Sequence, residues 1–157
     1  MNEALAQTQL TQVISALKQE LGDYLVVIVL FGSRARDEAN EASDWDLLVI
    51  AHHLPDTVFE RHLALKGILP VAWRGNTTIL AKTPQEFEAR LPTLYLDIAL
   101  DGLVLYDTRQ YVTERLARLR RLIQHQGLRR ESAQRDFVWR WQQFPGFNWS
   151  LEWEMAA

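Results

Sequence analysis

The sequence predicts an α+β fold, a sheet with helices packed against it, and two observations carry that prediction. Tyr24 to Phe31 (YLVVIVLF) and Ser43 to Ala51 (SDWDLLVIA) are short, nearly continuous apolar runs rich in β-branched residues, as in strands buried on both faces. Between and around them lie segments whose apolar residues recur every three or four positions, the period of amphipathic helices. Strands alternating with helices indicate an α/β or α+β sandwich.

The elements follow in order. Residues 4–21 read as one helix, with Leu10, Val13, Ile14, Leu17 and Leu21 on one face, and Gly22-Asp23 ends it. After the first strand, Gly32 to Ala42 is a turn running into a short helix. Pro55 opens a helix to about Leu69. Residues 70–74 and 77–82 look extended, with Gly75-Asn76 as a turn or hairpin signal. Pro84 suits the first turn of a short helix, 92–101 forms another, and Leu103 to Tyr106 a short strand. Residues 109–126 form a long amphipathic helix with Val112, Leu116, Leu119 and Ile123 inward, closed by Gly127. Residues 128–157 read as an irregular tail.

Composition narrows the function. At 157 residues the chain is long enough for one core without disulfide or metal support. With no cysteine, a disulfide framework, a thiolate zinc site and a Cys nucleophile are excluded. The eight-residue run at Tyr24 falls far short of the roughly 20 residues that span a bilayer, and the polar start lacks the layout of a signal peptide, so a cytoplasmic protein is expected. Net charge is −3, unevenly spread. Residues 1–108 hold 8 Lys and Arg against 15 acids, whereas residues 109–140 hold 9 Arg against 3 acids. That asymmetry suggests an internal electrostatic contact, a solvated arginine face or a surface for a polyanion. Arg115, Arg118, Arg120, Arg121, Arg129 and Arg130 would be the polyanion surface, but the acidic body and the lack of an RNA-binding module argue against nucleic acid.

The chemistry lies in Gly32-Ser33, ten residues, then Asp44-Trp45-Asp46. Gly32 lets an anion approach the backbone closely. Free N–H groups at the start of a helix attract phosphate, and Ser33 can cap that helix and donate to a phosphate oxygen. Arg34 and Arg36 add positive charge beside it. Asp44 and Asp46, two apart at the start of a strand, point to one face. Mg2+ is the natural occupant between them, because it takes carboxylates together with substrate phosphates. Phosphates at one strand end and carboxylates on its neighbour make a nucleotidyl-transfer site. Trp45 should point to the opposite face, into the core, and His52 and His53 read as surface loop residues.

The stretch FGSRARDEANEASDWDLLV resembles the signature of the DNA polymerase β-type nucleotidyltransferases, and within them the minimal nucleotidyltransferases of prokaryotes. Asp37 stands where that family usually has Gly. Weaker support comes from TPQEFE at 83–88 and DGLVLYD at 101–107, and the resemblance covers roughly residues 10–125. It implies a polymerase β-type fold, a mixed β-sheet flanked by helices, over residues 1–126, with 127–157 a tail that packs on the domain or a partner. It implies that Asp44 and Asp46 bind Mg2+ and that Gly32 and Ser33 hold the phosphates of a nucleoside triphosphate. Members transfer a nucleoside monophosphate, often AMP from ATP, to a hydroxyl. Several are antitoxins that modify or neutralise a helical HEPN-type partner, and others modify small molecules. Active members usually carry a third carboxylate on an adjacent strand; alignment through TPQEF puts Thr78 in that place, and NTTIL at 76–80 holds no acid. The implied alternative is a catalytically degenerate module that binds a nucleotide or a partner.

Trp139, Trp141, Trp149 and Trp153, with Phe137, Phe144 and Phe147, crowd the last 21 residues. So dense an aromatic tail either packs back over the sheet or forms a surface for a partner or a second copy in a homodimer.

Overall fold

A computed structural model describes all residues, Met1–Ala157. Its centre is a four-stranded sheet in the order β3-β2-β1-β4, made of β1 (Leu25–Phe31), β2 (Trp45–Ala51), β3 (Thr77–Lys82) and β4 (Leu103–Asp107). β1 pairs antiparallel with β2 and β4, and β2 pairs parallel with β3, so the sheet is mixed. The two central strands are almost wholly buried, as their uninterrupted apolar runs predict.

Side-chain alternation sends each central strand into two cores. Ile28, Leu30, Leu47 and Val49 pack with Trp45 under α1 (Glu3–Gln9), α2 (Thr11–Leu21) and α4 (Val58–Ile68). Val27, Val29, Leu48 and Ile50 pack on the other face under α6 (Pro84–Ala89), α7 (Thr93–Asp101) and α8 (Tyr111–His125). No helix is long and apolar enough to cross a membrane.

Four local expectations are corrected. The first helix is two, broken at Leu10. The Thr8 and Thr11 hydroxyls donate back to the carbonyls of Ala4 and Gln7, which bends helices. The helix expected from Pro55 starts at Val58, because the Thr57 side chain accepts the Glu60 N–H and becomes its cap. Residues 71–74 form one helical turn, α5 (Val71–Arg74), rather than a strand. It is held by Arg74, which donates to the carbonyls of Leu69 and Gly67. Gly75-Asn76 therefore leads into β3 as a parallel partner of β2, not as a hairpin turn.

The fourth correction concerns the tail. β5 (Leu128–Ala133) and β6 (Asp136–Trp141) form an antiparallel hairpin rather than irregular chain. Phe137 and Trp139 alternate inward along β6, opposite Ser132 and Arg130. Further on, Trp153 packs on Phe87 and Tyr95, and its indole N–H donates to the carbonyls of Phe87 and Arg90. Trp141, Phe144 and Phe147 instead form an exposed aromatic cluster, with Phe147 98% exposed.

Candidate nucleotide site

β1 ends at Phe31 and turns at once into the single-turn α3 (Gly32–Ala35). Phe31 lies opposite Asp46 in the β1–β2 ladder, so the end of one strand and the carboxylate of the next meet by register. Gly32 has φ +76°, and a Cβ there would collide with Oδ2 of Asp46. Two physical demands thus converge on this glycine: a backbone conformation that L side chains rarely adopt, and contact with a carboxylate.

Asp46 lies in β2, and Asp44 is exposed just before it. Burial and the neighbouring Asp44 charge raise the Asp46 carboxyl above the ordinary aspartate range, and Arg36 partly opposes them. On the far side, β3 places Thr78 in register with Asp46. The Thr78 hydroxyl donates to Oδ2 of Asp44 at 3.2 Å. A neutral donor bonded to Asp44 therefore stands opposite Asp46, at the position the sequence resemblance assigns to a third acid. No group of three or more His, Cys, Asp or Glu gathers in a metal-binding arrangement anywhere in the chain. Two carboxylates still fit Mg2+, which takes one or two from the protein and fills its remaining positions with water and substrate phosphates.

Not every expected residue converges on this point. Gly32 and Asp46 meet directly, Asp44 lies beside them, and Arg36 is near enough to act on the Asp46 charge while its Nε donates to Glu38 at 2.9 Å. Arg34 does not serve as a free cation: its guanidinium donates twice to the Ser43 carbonyl, at 3.2 and 2.7 Å, and stacks on the Trp45 ring. It pins the loop between α3 and β2, and so fixes where Asp44 begins. Ser33 is not a cap; the capping position is Phe31, with no side-chain hydrogen bond. Trp45 is buried, with its ring against Trp73, as expected of a core residue. His52 and His53 are exposed.

Three arginines of the basic segment bind the body of the protein. Arg115 pairs with Glu88, Arg120 donates to the Ala99 carbonyl, and Arg130 pairs with Asp97 and Asp101. Asp107, at the end of β4, accepts from the N–H groups of Val112 and Thr113 and starts α8. Asp97 and Asp101, in the sequence only the acids nearest to the missing third carboxylate, are the pair that holds Arg130. Their spacing of four on a predicted helix places them on one face, and this is the only signal that could have singled them out.

Comparison with known proteins bears on the family and the fold. Residues 10–126 match the family model described as nucleotidyltransferase domain. A candidate protein adenylyltransferase from Methanocaldococcus jannaschii is 33% identical over 127 residues, covering 78% of this chain and 86% of the relative. Among solved structures, a toxin–antitoxin complex with AMP-PNP matches with a TM-score of 0.54 at 21% identity, over 73% of this chain and 86% of that one. A complex of a tri-AMPylated HEPN toxin from Shewanella oneidensis with its MNT antitoxin matches with a TM-score of 0.51 at 20% identity, over 76% and 87% of the two chains. At those identities the likeness speaks for the fold.

Proposed function

Since the chain belongs to the nucleotidyltransferase domain family, we propose that it transfers the adenylyl group of ATP to a hydroxyl of a protein partner, as an antitoxin acting on a HEPN-type toxin. The observation that carries this reading is the meeting of Gly32 and Asp46, a positive-φ glycine turn in contact with a carboxylate. Adenylyl transfer to protein is the activity ascribed to the relative 33% identical to this chain. The HEPN partner is suggested by the toxin–antitoxin complexes that share the fold.

In this reading the backbone at Gly32-Ser33 binds the phosphates of the nucleotide and Arg36 adds charge to them. Asp44 and Asp46 hold Mg2+, which when bound neutralises phosphate charge and favours in-line displacement. The acceptor oxygen bonds to the α-phosphorus as its bond to the pyrophosphate oxygen breaks. Thr78 cannot take the acceptor's proton near neutral pH, so that proton passes to water or to a group supplied by the partner. The partner docks through the exposed Trp141, Phe144 and Phe147, since aromatic side chains are favoured at binding hot spots.

A second reading has one specific observation in its favour: Thr78 bonded to Asp44 where a third acid would stand. In that reading the chain binds a nucleotide or a partner but does not transfer.

The test is to incubate the purified protein with Mg-ATP and the product of the adjoining gene, and to read the partner's mass. A gain of one or more AMP units, absent with Asp44→Ala and Asp46→Ala, supports transfer. No gain, with nucleotide binding retained, favours the binding module.

A further inference from the structure

The β5–β6 hairpin lies beyond residue 126, where the family match ends. It nevertheless reaches the turn at Gly32. A cavity of about 450 Å³ is lined by Gly32 and Arg36, by Asp97 and Asp101 of α7, and by Arg135 and Phe137 of the hairpin.

The hairpin is latched in this position. Arg130 donates to both oxygens of Asp101, at 2.6 and 3.0 Å, and to Asp97 at 3.3 Å. The Trp139 indole N–H donates to the same Asp97 oxygen at 3.1 Å. Asp97 and Asp101 stand one turn apart on α7, so a single arginine spans both. The Phe137 ring lies against two guanidinium groups, Arg130 at 4.1 Å and Arg36 at 4.8 Å. Arg36 also pairs with Glu38 at 2.9 Å and approaches Asp101 at 3.7 Å. One aromatic ring therefore joins the latch to the arginine beside Gly32.

Arg135 differs from the other arginines of the hairpin. Arg129, Arg130 and Arg140 are all in ion pairs, whereas Arg135 is exposed at the turn, forms none, and faces the cavity. Asp136 faces the cavity beside it. Arg130 neutralises the Asp97–Asp101 pair and Glu38 holds Arg36, which leaves Arg135 unpaired to meet a phosphate and Asp136 unpaired to accept from a ribose hydroxyl.

We propose that the hairpin is a wall of the nucleotide site, in which Arg135 contacts the phosphates of a bound nucleoside triphosphate and Phe137 positions Arg36. The proposal rests on the nucleotide-binding part of the function proposed above.

The test is titration calorimetry of the full chain with Mg-ATP and Mg-AMP. Arg135→Ala is expected to weaken ATP binding about tenfold, as for one lost charge-assisted hydrogen bond, with a smaller loss for AMP and no change in the thermal midpoint. Phe137→Ala is expected to weaken ATP binding in the wild-type background but not in Arg36→Ala, and Phe137→Trp to restore it, because any ring can seat the guanidinium. If Arg135→Ala and Phe137→Ala bind ATP as tightly as the wild type, the hairpin is no part of the site and the proposal fails. The same holds if Arg135→Ala weakens ATP and AMP equally. If the wild type binds no nucleotide, the reading of Gly32 and Asp46 falls first and the hairpin proposal with it.

Discussion

The Thr78 hydroxyl donates to Asp44 across the parallel β2–β3 ladder. Its backbone stands opposite Asp46, so a carboxylate at this position would face the two already present. A positioned general base contributes roughly 10²–10⁴-fold to rate. Thr78→Asp is therefore expected to raise adenylyl transfer by about 100-fold or more at saturating Mg-ATP. The same variant should be less stable in chelator, since three carboxylates then repel one another. Turnover and thermal midpoint, each measured with and without Mg2+, check both halves. Equal turnover in the two proteins would show that the wild type does not lack a base.

Gly32 and Asp46 make a second prediction. At φ +76° a side chain is strained, and its Cβ would also displace the Asp46 carboxylate. Gly32→Ala is expected to cost about 1–3 kcal/mol of stability and to abolish Mg-ATP binding. Denaturant unfolding and calorimetry read the two effects separately. Alanine at Gly75, where nothing lies within 4 Å of the added Cβ and φ is negative, is the control and should do neither.

These two predictions use the part of the molecule that was legible in the sequence. Unbroken apolar runs announced β1 and β2, and the ladder between them placed Gly32 beside Asp46 as the spacing implied. What stayed hidden depended on partners far along the chain. Arg34 looks like a phosphate ligand until the Ser43 carbonyl takes its guanidinium. The hairpin was hidden because Leu128 to Ala133 is mostly polar, and its Arg130 is satisfied by acids about 30 residues earlier. The kink at Leu10 comes from two threonine hydroxyls, which leave the apolar period intact.

Asp46 holds its charge at a cost to the fold. Burial and Asp44 raise its folded pKa, so the folded state favours the protonated form and the ionised form destabilises it. Above that pKa the penalty is fully present; below the unfolded aspartate value both states are protonated and it vanishes. Asp46→Asn is therefore expected to raise the thermal midpoint at neutral pH, with the gain shrinking as the pH falls into the acid range. It should also lose Mg-ATP binding, the usual trade between a charged site and stability. A lower midpoint at neutral pH would contradict this.

Glu86 has the opposite sign. Its hydrogen bonds from Arg61, at 2.6 and 2.7 Å, hold its pKa down to about 2. A depressed acid stabilises the fold above its unfolded pKa, and that contribution is lost as the pH falls toward 2. The Glu86 side chain is 40% exposed, so solvent screens the pair, and Glu86→Gln is expected to cost only about 1–2 kcal/mol at pH 7. Unfolding free energies from pH 7 down to pH 2 should show the two proteins converging in acid.

Trp153 tests whether the tail belongs to the fold. Its ring packs against Phe87 and Tyr95, and its N–H is shared at 2.9 Å by the carbonyls of Phe87 and Arg90, where α6 ends. Those carbonyls would otherwise need water. Trp153→Phe keeps most of the ring contact and loses the donor, so it is expected to cost about 1 kcal/mol. Trp153→Ala loses both, and because the residue is only partly buried the cost is expected near the low end for such truncations, about 3 kcal/mol. Chemical denaturation of the three proteins checks the order. A tail that served only a partner would leave all three equally stable when alone.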